Sequence, residues 1–234
     1  MEGIDSKQSS LESDKRNTSV DIIKGLGIFC MVFGHSGFPY IHFVYLFHMS
    51  IFFIAAGYCY KQSNSDTTSS TVKFIKRKIS TLWFPFVVWN VIYKMLHNFF
   101  IDINIYTNNP EILMFGQCNS VSSYMTVKEM AINAAKSFLF YGGTQMGGAL
   151  WFLRTLMGVS VLYCCFDLVL KKLFDKKYSL LLQGLISILF LSIGYLLNVN
   201  ELYLWGFGRT MTSYCLFYMG CICKSSRILN KERK

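Results

Sequence analysis

Lys24 and His35 stand eleven residues apart inside the apolar run SVDIIKGLGIFCMVFGHSG. Eleven residues is close to three helical turns, so both side chains fall on one helix face, roughly 16 Å apart along the axis. Asp21 lies one turn before Lys24 on nearly the same face, where an ion pair can form. Ionisable groups inside a membrane span are costly and mark polar paths. A second histidine, His48, sits a little way into the next apolar segment. A short loop joins the two segments, so they pair as an antiparallel hairpin with both imidazoles at similar depth. A histidine can take a proton from a hydroxyl near neutral pH. That assigns His35 and His48 as the catalytic candidates, against the plainer role of a structural hydrogen-bonder near a helix end.

Lys24 has two readings: its amine snorkels to the headgroups, or it contacts the phosphates of a cytoplasmic donor. Lys73, Lys76, Arg77 and Lys78 precede the third apolar segment and share the side of Lys24. They either set the orientation of the chain in the membrane or hold phosphates, and Arg77 and Lys78 join Lys24 as candidates for contact with the phosphates of that donor. Arg154, just after Leu150-Trp151-Phe152-Leu153, and Arg209 in WGFGRT lie toward the opposite side. Each snorkels outward or points into a polar cavity. Asp21, Trp151 and Arg154 are the substrate-cavity candidates; Trp83, Trp89, Trp151 and Trp205 also suit interfacial belts. No P-loop, GxSxG elbow or HExxH is present, and Cys221-x-Cys223 has no matching pair, so no metal site is expected.

The elements that must position these residues follow from composition. Of 234 residues, 53% are hydrophobic and 15% charged, which points to a polytopic membrane protein of all-α class. The net charge of +10 is gathered in short blocks beside apolar segments, a pattern that excludes a nucleic-acid groove. Six spans are predicted, at 19–36, 42–60, 82–101, 149–170, 178–198 and 203–223. With both termini cytoplasmic, the inner segments 1–24, 61–80, 171–177 and 224–234 hold 18 of the 23 Lys and Arg, and the outer segment 199–202 only Glu201. The stretch 130–147 is too short for a span and is read as an outer or re-entrant helix. The domain organisation expected is a polar tail 1–18, a membrane domain 19–223 and a basic tail 224–234. The first helix is expected to stay as an anchor, since no cleavage site follows it.

DIIKGLGIFCMVFGHS followed by FHMSIFFIAAGY resembles the start of the acyltransferase-3 family of integral membrane acyltransferases. FIKRKISTLWFPFVVW resembles its basic segment with an aromatic-Pro helix start, GGALWFLRTLMG its Trp-Phe-Leu span, and SYCLFYMGCIC a later helix. The resemblance runs from about residue 16 to 223, and is nearest the fucose O-acetylase-like branch, whose first span carries Asp-x-x-Lys-Gly and ends Gly-His. It implies an O-acyltransferase that moves acetyl from cytoplasmic acetyl-CoA, a co-substrate and not a resident cofactor, to a hydroxyl of a sugar or cell-surface glycan. It also implies a multi-pass protein of a bacterial inner membrane, with His35 as the catalytic histidine. Lys24 stands where many members have Arg, and Lys78 and Thr81 where many have a second Arg-x-x-Arg contact. Family members run on through more spans, so a C-terminally short member, active alone, as a homo-oligomer or with a partner subunit, is the corresponding expectation. Two rival readings stand beside it: a non-catalytic subunit, and a transporter of a lipid-linked or anionic sugar, suggested by Lys94, Arg154 and Arg209.

Overall fold

A computed structural model describes residues 18–34, 41–107, 123–141, 144–174, 176–200, 202 and 206–226. His35, Cys118, Glu201, Trp205 and most of the two polar tails lie outside the described residues. Every regular element described is helical: α1 Thr18–Gly34, α2 Ile41–Tyr58, α3 Thr68–Lys78, α4 Phe84–Met95, α5 His97–Asp102, α6 Val127–Ser137, α7 Trp151–Leu173, α8 Lys176–Val199 and α9 Phe207–Ser225. Two of them, over Gly148–Leu173 and Tyr178–Val199, are long and apolar enough to cross a membrane. Ile22, Leu26, Phe29 and Val32 of α1, and Leu181, Leu185, Ile188 and Leu196 of α8, are each more than half exposed. Water would penalise such apolar stripes at helical spacing, whereas lipid solvates them.

The chain forms two compact units, one reaching to Cys59 and resuming at Met219, the other from Tyr60 to Tyr218. In the first, α1 and α2 are an antiparallel hairpin: Gly27 faces the Phe52 ring, and Lys24 meets Cys59. Val20, Ala55 and Tyr58 form its buried cluster, with Cys223 of α9 packed against them. Gly220 is the point of closest approach, since a Cβ there would lie 2.0 Å from the Ile54 carbonyl oxygen. Small residues at such contacts let two helix backbones touch where apolar surface gives no drive to associate.

In the second unit the third expected span, 82–101, is broken. The chain is already helical from Thr68, where Thr67 and Ser70 form a capping box. It passes through a π-helical turn, Ile79–Trp83, and resumes as α4. Pro85 is the physical reason: it lacks an N–H and would clash with the carbonyl four residues back. The wide turn accommodates it, and the Phe84 N–H bonds the Ile79 carbonyl, five residues back. A second break at Leu96 separates α4 from the short α5.

The stretch 130–147, read as an outer or re-entrant helix, overlaps α6, which starts earlier, is eleven residues long and is capped by Thr126 and Glu129. Hydrogen bonds from the backbone and hydroxyl of Thr126 hold the Glu129 carboxyl below its usual pKa. Beyond α6, α7 and α9 run parallel: Gly158 meets Thr210, and Tyr163 meets Tyr214 and Phe217. α8 returns antiparallel, with Gln183 wholly buried between them. Its amide donates to the Tyr163 carbonyl and accepts from the Tyr214 hydroxyl. Tyr60, Phe74, Tyr163, Tyr214 and Phe217 make the aromatic core of this unit.

Candidate functional site

The hairpin of the first unit carries the residues singled out for chemistry. Lys24 is half-buried, its Nζ 3.9 Å from the Cys59 Sγ to which it donates, and Asp21 is half-buried one turn before it. His48 is 3% exposed, and its Nδ1 lies 2.9 Å from the Val44 carbonyl oxygen. A carbonyl only accepts, so Nδ1 is the donor in this bond. This i−4 bond fixes the ring against its own helix. His48 lies one turn from Phe52, the partner of Gly27, so the register sets it level with the last turn of α1, which ends at Gly34. By that register Lys24 and His48 differ in depth by about 10 Å. His35, the first catalytic candidate, lies outside the described residues.

The other candidates belong to the second unit. The guanidinium of Arg77 and the amine of Lys78 stand 5.4 and 5.3 Å from the centroid of the buried Phe74 ring. Arg77 is exposed and Lys78 half-buried, so their stems cover the aromatic core while their charges stay near the surface. Thr81, the other position of the basic pattern, donates its hydroxyl to the Arg77 carbonyl at 2.9 Å. Arg154 donates from Nη1 to the Phe140 carbonyl at 3.2 Å and lines an open groove of about 330 Å³ between α7 and α9. Trp151 is the platform on which the exposed Arg209 stacks, 4.9 Å from the ring centroid.

Lys94 is engaged by the fold itself. Its three donors are all used, by the Asn133 carbonyl at 2.9 Å, the Ser137 hydroxyl at 2.9 Å and the Tyr141 carbonyl at 2.7 Å. It is a buried clasp that donates to carbonyls at the C-terminal end of α6, where a helix dipole favours positive charge.

A buried ionic cluster was not anticipated. Asp167 of α7 accepts from the Ser65 hydroxyl and lies 3.1 Å from Lys171, while Lys171 also reaches Asp66 at 3.0 Å and the Gln62 carbonyl at 2.8 Å. Ser179 of α8 approaches the other Asp167 oxygen at 3.5 Å. This ties the Gln62–Ser65 turn and the start of α8 to one end of α7. The signal was present in the sequence: an aspartate within a predicted span, with a lysine four residues on. Among the described residues no three His, Cys, Asp or Glu converge as a metal site would need.

Comparison with known proteins adds one finding. A family model described as an acyltransferase domain, of the acyltransferase-3 family, matches residues 17–234. Neither the curated proteins nor the solved structures contain a match. The matched region spans the hairpin with Lys24 and His48 and both helices built to cross a membrane, so the chain belongs to the acyltransferase-3 family and is a membrane acyltransferase.

Proposed function

We propose that the protein transfers an acetyl group from cytoplasmic acetyl-CoA to a hydroxyl of a sugar or cell-surface glycan, as in the fucose O-acetylase-like branch. The observation that carries the reading is the family match together with Lys24 and buried His48 on one hairpin. Lys24 contacts CoA phosphates at the inner face, with Asp21 beside it on the donor path. Arg77 and Lys78, in the second unit, are the further candidates for contact with CoA phosphates. His35 removes the acceptor proton as the hydroxyl oxygen attacks the thioester carbonyl. The new C–O bond forms, the C–S bond breaks, and CoA leaves as a thiolate that takes up the proton. His48, its ring fixed by the Val44 carbonyl, orients the acceptor hydroxyl or stabilises the oxyanion. The proposed setting is a bacterial inner membrane crossed six times.

The test is transfer of labelled acetyl from acetyl-CoA to endogenous glycan in membranes holding the wild type or His35→Ala. Incorporation is expected with the wild type alone, with both proteins inserted equally. Equal incorporation by the variant would remove His35 from the mechanism. No incorporation by either, with acceptor supplied, would favour a partner-dependent subunit.

A further inference from the structure

The groove between α7 and α9 supports an inference that does not rest on acyl transfer. Its walls are Phe140, Met157, Val161, Leu162 and Phe207, all apolar, and its volume of about 330 Å³ is within the range of ligand pockets. Among the described lining residues, polar groups enter from Arg154 and Thr210. The end at Arg154 is closely built. Phe140 adopts φ +61, a conformation an aromatic residue rarely takes, and its carbonyl receives the guanidinium. Gly206 has φ +75, and a Cβ there would lie 2.5 Å from Nη2 of Arg154. Only glycine combines that backbone with that approach.

Among the described residues, charge at this end is unbalanced. Arg209 stacks on Trp151, one turn before Arg154 on α7, and among those residues neither arginine forms an ion pair with a carboxylate. Both are in the first turn of their helices, α7 and α9, whose parallel N-termini bring two positive dipole ends together. Cations there repel each other and the dipoles, so this end of the groove is a standing attraction for an anion. Among the described residues Arg154 uses one of its five N–H donors, on the Phe140 carbonyl, and the rest of its fork suits a phosphate. An anion alone would leave the apolar trough unfilled, and a neutral lipid would leave the arginines unmatched.

We propose that the groove holds an acyl chain of an anionic phospholipid, with the lipid phosphate between Arg154 and Arg209. The measurement is native mass spectrometry of the detergent-solubilised full chain, titrated with phosphatidylglycerol or with phosphatidylcholine of the same acyl chains. Phosphatidylglycerol is expected to be retained about tenfold more tightly, and Arg154→Gln with Arg209→Gln to abolish that preference. Arg209→Gln alone, on an exposed side chain, should lower the preference with the thermal midpoint unchanged, which separates ligand loss from misfolding. Val161→Trp, which fills the trough, should weaken retention of both lipids. Equal retention of the two lipids by the wild type, a preference that survives the double variant, or retention indifferent to Val161→Trp would each overturn the proposal. Because the readout is lipid binding without acyl-CoA, its failure is distinct from failure of the acyl-transfer reading.

Discussion

Lys24 and Lys94 are the same residue type in apolar helices, with opposite consequences. Lys94 is saturated by three protein acceptors and is part of the fold. Lys24 touches a thiol, a weak acceptor that leaves an ammonium able to bind a stronger anion. If Lys24 binds CoA phosphate, Lys24→Met should raise KM for acetyl-CoA about 10- to 100-fold with a smaller effect on kcat, and Lys24→Arg should keep most of the affinity. Steady-state kinetics in membranes reads this directly, and an unchanged KM in the Met variant would return Lys24 to a headgroup role. His48 was legible as a buried polar residue from its setting in FHMSIFFIAAGY. The bond that fixes its ring was not, because that depends on which backbone carbonyl the ring reaches.

At the scale of elements, five helices lie within a few residues of the apolar runs that announced them. The predicted span 42–60 is α2 Ile41–Tyr58, and 178–198 is α8 Lys176–Val199. The third differs because hydropathy counts side chains and not backbone hydrogen bonds. Pro85 was visible, yet whether the chain would stop, kink or widen into a π turn depended on local geometry. α6 illustrates the dependence of a short helix on a neighbour. Eleven residues are marginal alone, and its end is held by Lys94 of α4. Lys94→Met should cost about 2–3 kcal/mol and lower the thermal midpoint in detergent by several degrees, since buried carbonyls lose a charged donor. A midpoint equal to wild type would mean that α6 is held by packing alone.

For the whole molecule, the charge pattern of the sequence predicts one orientation, with both termini cytoplasmic. In a cysteine-free background, Ser63→Cys should react with a membrane-impermeant maleimide only after cells are permeabilised, and Glu201→Cys should react in intact cells. The reverse pattern would overturn the orientation and, with it, the assignment of Lys24 to a cytoplasmic donor. The two compact units divide the candidates, with Asp21, Lys24 and His48 in the first and Arg77, Lys78, Trp151 and Arg154 in the second. Sequence order gave no sign of that division, because α9 contributes to both units although it is one continuous helix.

The sequence by itself determined the all-helical membrane character, the positions of most helices and the family. These rest on local quantities: apolar run length, charge beside each run, and motifs read within a few residues. Only the tertiary structure decided which buried charges are satisfied. The Lys94–Asn133 bond joins residues 39 apart, and Ser65 reaches Asp167 across 102. The cationic end of the groove likewise needs α7 and α9 to run parallel, with Gly206 giving way to Arg154. A lysine or arginine in an apolar run looks the same in sequence whether its charge is spent on a carbonyl or kept for an anion. The difference lies in the partners that chain packing brings within about 3 Å.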